Sequence, residues 1–124
     1  MVDVSAKTET SREAGVTLIE VAGRKLEVSA AAAPGERVRV CIRPEDVTLT
    51  HPTERLALSS ARNHLAGTII SLTPTSAHVR VVVDTGFPLV AAVTPRSVED
   101  LGLAPGLPVI AVFKASAIHL LGAR

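Results

Sequence analysis

Aromatic residues are nearly missing from this 124-residue chain: it has no tyrosine or tryptophan, and Phe87 and Phe113 stand alone. Small β barrels that bind oligonucleotides stack bases on aromatic side chains above a basic groove. Two phenylalanines cannot build that platform, and a net charge of +1 gives no field to draw in nucleic acid or an anionic membrane. Nucleic acid is therefore not an expected partner, and any anion has to be held by local geometry. Cys41 is the single cysteine, so no intrachain disulfide can form, which suits a reducing compartment. Its setting, Val38-Arg-Val-Cys-Ile42, reads as a small buried hydrophobe on a strand. No apolar run reaches the ~18 residues that a bilayer span requires. The polar, mixed-charge opening residues are unlike a signal peptide. A soluble, cytoplasmic protein without direct membrane insertion is expected.

Catalytic motifs are lacking too. Ser60 together with His51, His64 and His78 could suggest a nucleophile and base, but there is no nucleophile elbow and no acidic partner at a recognisable spacing. No HExxH, paired cysteine or His-x-His cluster is present, which argues against a transition-metal cation site. No glycine-rich phosphate loop ending in Gly-Lys-Ser/Thr is found either. The histidines read as surface or strand residues, and the chain as a binding module and not an enzyme.

What is present is β patterning. Hydrophobic residues make up 47% of the chain, mostly Val, Leu, Ile and Ala, enough for a globular core. Residues 1–14 carry Ser, Thr, Lys and Glu without apolar periodicity and read as a flexible lead-in. Strands are expected at Val16–Val21, Leu26–Ser29, Arg37–Ile42 and Val47–Thr50, with a connector over 51–58. Further strands are expected at Leu65–Leu72, Ala77–Asp84, Leu89–Thr94, Val109–Lys114 and Ala117–Leu121. Pro95–Leu103 reads as a short helix, with Pro at its start and Gly102 near its end. An all-β barrel or sandwich follows.

An internal repeat refines the picture. Ala33-Pro-Gly-Glu-Arg-Val-Arg-Val-Cys-Ile-Arg43 parallels Ala104-Pro-Gly-Leu-Pro-Val-Ile-Ala-Val-Phe-Lys114, and at the same offset Val47 and Leu49 match Ile118 and Leu120. Gly23-x-x-Leu26 parallels Gly86-x-x-Leu89 at a shorter offset, as a helical insert in the second copy alone would produce. Two related β units are expected, one at 15–55 and one at 56–124 that owns the helix. The second begins with Ser60-Ala-Arg-Asn-His-Leu-Ala-Gly67 and a strand, for which residues 1–15 offer no counterpart. The first copy thus looks short of its opening strand, as if the chain had been separated from a larger protein upstream.

Small donors and isolated cations cluster at strand and loop ends. Ser60 and Arg62 precede a strand, and Thr94 and Ser97 flank the helix start, where free N–H groups favour an anion. Lys114 ends a strand and is followed by the Ala115 and Ser116 amides. Singly, Ser60 and Thr94 read as local caps, and Arg62 and Lys114 as solvated strand-end charges.

Ser60-Ala-Arg-Asn-His-Leu-Ala-Gly67, Val93-Thr-Pro-Arg-Ser97, Leu101-Gly-Leu-Ala-Pro-Gly106 and Val112-Phe-Lys-Ala-Ser116 together closely resemble the molybdopterin-binding-like (Mop) oxyanion domain. That domain occurs in molybdate-storage proteins, molybdate-responsive regulators and the C-terminal region of molybdate or tungstate ABC-transporter ATPases. Val40-Cys-Ile-Arg-Pro-Glu-Asp-Val-Thr-Leu49 is similar to the TOBE region that precedes it in such ATPases. The resemblance implies an OB-fold-like barrel that assembles with copies of itself and holds molybdate or tungstate between subunits. Ser60 and Arg62 would come from one subunit, and Thr94, Ser97, Lys114 and the Ala115 amide from the other. No cofactor is implied beyond the oxyanion. The chief departure is the missing ATPase domain.

The chemistry of that set agrees with the resemblance. Molybdate is fully deprotonated at neutral pH and only accepts hydrogen bonds, and the set offers only donors, with two cations against two negative charges. Phosphate retains a proton and would want an acceptor, whereas sulfate is separated only by cavity size. The leading expectation is the regulatory oxyanion-binding domain of an ABC-transporter ATPase, at the inner face of the membrane beside transporter subunits. The alternatives are a structural dimerisation domain of another importer ATPase and a free-standing molybdate storage protein. Arg43 falls opposite Lys114 in the repeat without the accompanying Thr and Ser donors, and reads as structural, paired near Glu45 or Asp46.

Overall fold

The computed structural model describes residues 2–13, 15–52 and 59–122. Ten strands run in order β1 (Val2–Glu13), β2 (Val16–Val21), β3 (Arg24–Val28), β4 (Arg37–Ile42), β5 (Thr48–Thr50), β6 (Asn63–Pro74), β7 (Val79–Asp84), β8 (Pro88–Val93), β9 (Pro108–Phe113) and β10 (Ile118–Gly122). One helix, α1 (Pro95–Leu101), sits between β8 and β9, and 3-10 turns at Pro44–Asp46 and Ala115–Ala117 precede β5 and β10. The strands form two antiparallel five-stranded sheets, ordered β10-β4-β1-β2-β3 and β5-β9-β6-β7-β8. Each sheet curls toward closure: β8 packs against β5 and the 44–46 turn, and β3 against the 115–117 turn. The architecture is the expected pair of OB-fold-like β units, with one short helix in the second.

Alternation explains most of this. In β4 the side chains of Val38, Val40 and Ile42 are buried while Arg37 and Arg39 face solvent, and β9 repeats the pattern with Val109, Ala111 and Phe113 inside. A period of two is what a one-sided sheet imposes. Helix α1 has local causes for its limits. Pro95 sets φ at the first position, Thr94 caps the start, and Gly102 leaves the helix in the left-handed region at φ 63°, a conformation that glycine adopts without penalty.

The two units are copies in backbone detail. Gly35 N–H donates to the Thr8 carbonyl (2.7 Å) and Thr8 N–H to the Glu36 carbonyl (2.9 Å); Gly106 N–H donates to Ile69 (2.8 Å) and Ile69 N–H to Leu107 (3.0 Å). Asp46 N–H closes the 3-10 turn on the Arg43 carbonyl, and Ala117 N–H closes its counterpart on Lys114, both at 3.0 Å.

The structure corrects the reading of residues 1–14 as a flexible lead-in. Residues 2–13 are β1, which lies between β4 and β2 and pairs Val2 with Ile42 as β6 pairs Asn63 with Phe113. It is therefore the opening strand that the first copy was expected to lack. Backbone ladders on both sides hold it without apolar periodicity, and its inward Ala6 and Thr8 are small. The sheets also cut across a contiguous division at residue 55. Strand β5, from the first unit's stretch, completes the second sheet beside β9, and β10, from the second unit's stretch, completes the first sheet beside β4. Each 3-10 turn carries the chain across. Of the expected connector 51–58, residues 53–58 lie outside the described residues.

Candidate functional site

The segment ahead of β6 is anchored by one buried amide. Asn63 is 3% exposed, and its Oδ1 accepts from the Glu27 N–H (2.8 Å) while its Nδ2 donates to the Glu27 carbonyl (2.9 Å). The side chain imitates a neighbouring strand along β3, the last strand of the first sheet. That bond pair satisfies backbone groups that would otherwise lack partners. Arg62, next along the chain, reaches the same residue: its Nε lies 3.4 Å from both Glu27 carboxylate oxygens. A pair this long and half-exposed contributes at most ~1 kcal/mol, so it orients the guanidinium without binding it tightly. Ser60 is exposed, beside a local turn in which Ala61 N–H donates to the Ser59 hydroxyl (3.2 Å).

Gly67, at the far end of the same motif, has a steric reason. A Cβ there would lie 2.6 Å from the Asp84 carbonyl oxygen and 2.7 Å from a Val83 methyl. Strand β6 passes too close to β7 for any side chain.

Thr94 and Ser97 form the N-terminal cap of α1. The Thr94 hydroxyl oxygen accepts from Ser97 N–H (3.1 Å), and the hydroxyl donates to Ser97 Oγ (3.0 Å). The other end of α1 is tied to β5's chain by His51, whose Nε2 is 2.8 Å from the Leu101 carbonyl. His64, His78 and His119 are exposed.

Lys114 follows β9 and is exposed, and its side chain has no hydrogen-bond or ion-pair partner among the described residues. It lines a cavity of about 440 Å³ whose walls include Arg43, Asp46, Ala61, Ser116 and His119. The structure therefore brings Lys114 to Ala61, and so to the Ser60–Arg62 segment of its own chain. Thr94 and Ser97 do not line this cavity. Ser60 and Arg62 flank Ala61 in sequence without lining the cavity themselves. The neighbouring Ala115 carbonyl accepts from Ser29 N–H (3.3 Å), which ties the turn after Lys114 to the end of β3. Arg43 forms no ion pair with Glu45 or Asp46; it faces the cavity, because the 3-10 turn directs Arg43 and Lys114 alike.

Asn63 and Glu27 were not among the residues assigned a role from sequence. Asn63 stood inside the motif, where a lone polar amide opening a strand is a readable signal. Glu27 had none, since its contact lies 36 residues away. Among the described residues no group of three His, Cys, Asp or Glu side chains could hold a metal ion, and no helix is long and apolar enough to cross a membrane.

Comparisons with known proteins follow the same residues. The family model described as the TOBE domain matches residues 59–120. The chain is 39% identical over 89 residues to the molybdenum import ATP-binding protein ModC 1 of Azotobacter vinelandii, covering 69% of this chain and 24% of that protein. It is 30% identical over 119 residues to the molybdenum-pterin-binding protein MopA of Rhodobacter capsulatus, covering 94% of this chain and 44% of that one. It thus spans 24% and 44% of the length of these two curated relatives. Among solved structures, the cytoplasmic molybdate-binding protein ModG, with molybdate bound, superposes with a TM-score of 0.81 at 25% identity, over 98% of this chain and 96% of ModG.

Proposed function

The chain belongs to the TOBE domain family, and on that premise we propose that it binds a tetrahedral oxyanion of the molybdate and tungstate type between two copies of itself. One copy supplies Ser60, Arg62, Lys114 and the Ala115 amide; the other supplies Thr94 and Ser97. The observation that carries this reading is that Lys114, whose side chain has no partner among the described residues, shares a cavity with Ala61 between Ser60 and Arg62, while Thr94 and Ser97 lie off that cavity. A single chain offers an incomplete set of donors, and a second chain would complete it.

A dianion in such a site is satisfied by donors alone. Lys114 supplies a whole charge. Arg62 supplies the terminal N–H groups of its guanidinium, because Glu27 engages only Nε. Each charge-assisted bond is worth about 1.5–3 kcal/mol net. Because the anion touches both copies, it would favour the paired arrangement by its differential affinity, a population shift that reports anion supply. In the ATPase setting this makes the chain a cytoplasmic regulatory module beside transporter subunits, with no chemistry of its own. The near-complete overlap with ModG favours a second reading, a free-standing molybdate-binding protein.

Isothermal titration with molybdate, tungstate, sulfate and phosphate tests the binding. Micromolar affinity for the first two supports it, and no binding by either sinks it. Solution mass with and without molybdate separates the readings: a dimer fits regulation and a larger closed assembly fits storage. An assembly indifferent to the anion and to Lys114→Ala would point to a structural dimerisation domain.

A further inference from the structure

Arg62 and Lys114 stand one residue past the end of a ladder. Strands β6 and β9 pair as far as Asn63 and Phe113. Arg62 precedes Asn63 and Lys114 follows Phe113, so that pairing does not extend to either of them. Both side chains are long, and each keeps its rotamer freedom unless another element holds it.

Strand β3 of the first unit reaches both sides of this open end. The Asn63 amide holds the Glu27 backbone at 2.8 and 2.9 Å, and the Glu27 carboxylate oxygens lie 3.4 Å from Arg62 Nε. Two residues on, Ser29 N–H donates to the Ala115 carbonyl at 3.3 Å, which fixes the turn that begins after Lys114. At about 3.3 Å per residue, the two contacts lie about 7 Å apart along the chain. The strand between them is firmly seated. Leu26 and Val28 are fully buried, β2 pairs along β3, and Arg24 Nη1 donates to the Thr85 carbonyl at 3.1 Å. The spacing between the Arg62 guanidinium and the Lys114 turn is therefore set by the first unit, beyond the reach of the second unit's own ladder.

We propose that Glu27 is a positioning residue that determines oxyanion specificity, holding Arg62 at the spacing from Lys114 that suits molybdate and tungstate and not the smaller sulfate. This role of Glu27 rests on the binding of an oxyanion between copies. Sulfate and molybdate carry the same charge and the same four acceptors, so donor type cannot separate them and donor spacing must. Donors held apart make good bonds to the larger ion and stretched, weaker bonds to the smaller one. An Arg62 released from Glu27 can close on the smaller ion, and discrimination falls. The same role accounts for a carboxylate beside a site for anions, where its charge has the wrong sign for a ligand.

The test is calorimetric titration of the full chain with molybdate, tungstate and sulfate, for wild type, Glu27→Ala and Glu27→Gln. The Asn63 bonds use the Glu27 backbone, so they survive both substitutions. Removing the carboxylate charge alters the attraction for each dianion alike, and the ratio of affinities cancels that effect. Glu27→Ala should lower the molybdate-to-sulfate affinity ratio at least fivefold. Glu27→Gln, whose amide oxygen still accepts from Arg62 Nε–H, should recover at least half of the wild-type ratio. An unchanged ratio in Glu27→Ala, or a Glu27→Gln ratio as low as that of Glu27→Ala, overturns the proposal. A second readout needs no ligand: the Arg62 Nε–H resonance should exchange with water more slowly in wild type than in Glu27→Ala, and equal exchange also overturns it. Wild type that binds neither molybdate nor tungstate sinks the oxyanion reading and this role with it, whereas wild-type binding with an unchanged ratio removes the role of Glu27 alone.

Discussion

Replacing Asn63 by Ala should destabilise the protein more than any exposed residue of the same motif. The substitution removes two hydrogen bonds, of 2.8 and 2.9 Å, and strands both backbone groups of Glu27 at the edge of β3. Net loss of a neutral bond is about 0.5–1.5 kcal/mol, and a part-buried polar group left without a partner adds about 1–3 kcal/mol. Water reaching half-buried Glu27 offsets some of this, so a total of about 2–4 kcal/mol is expected. With urea m-values of ~1–3 kcal/mol/M, the unfolding midpoint should fall by about 1–2 M. Asn63→Asp should also fail to rescue, because a carboxylate keeps the acceptor but loses the donor and sits beside Glu27. The measurement is urea unfolding followed by far-UV circular dichroism, since the chain has no tryptophan. A midpoint within 0.2 M of wild type (~0.5 kcal/mol) would refute the claim that this amide joins the two units. Molybdate affinity should fall as well, because Asn63 sets the direction of Ser60 and Arg62.

Gly67→Ala should cost about 1–3 kcal/mol by overpacking, since its Cβ would meet the Asp84 carbonyl at 2.6 Å; thermal unfolding checks this, and an unchanged Tm would contradict the close approach. Thr94→Ala removes the cap on Ser97 N–H and should lower stability by about 0.5–2 kcal/mol while weakening molybdate binding in calorimetry. Lys114→Ala should leave the urea midpoint unmoved, because the side chain is exposed and has no partner among the described residues, yet reduce molybdate affinity about 10–150-fold, the equivalent of one charge-assisted bond. A Lys114→Ala variant that unfolds early but binds normally would reverse the assignment of that residue from ligand to scaffold.

Much of the fold was legible because alternation and turn chemistry are local. Strands β2 and β4 begin and end at the residues expected from Val16–Val21 and Arg37–Ile42, and α1 starts at its expected proline. The repeat matched Arg43 to Lys114, the residues that precede the two 3-10 turns. Strand β1 was not legible, since a polar segment held by ladders on both sides carries no apolar signature. The site residues were identifiable as donors, but their grouping was not.

The sequence by itself determined a β protein of two related units, a donor-rich set of small residues and cations, and a family. Only the tertiary structure decided which strand completes which sheet. A ladder between β5 and β9 uses the same backbone groups as one between β5 and β4 would, so side-chain pattern cannot choose between them. That exchange folds the two 3-10 turns toward one junction, so that Arg43 and Lys114 line the same cavity. It also lets Asn63 reach Glu27 across 36 residues. Long-range contacts of this kind depend on how the sheets curl, and no local period of the sequence records it.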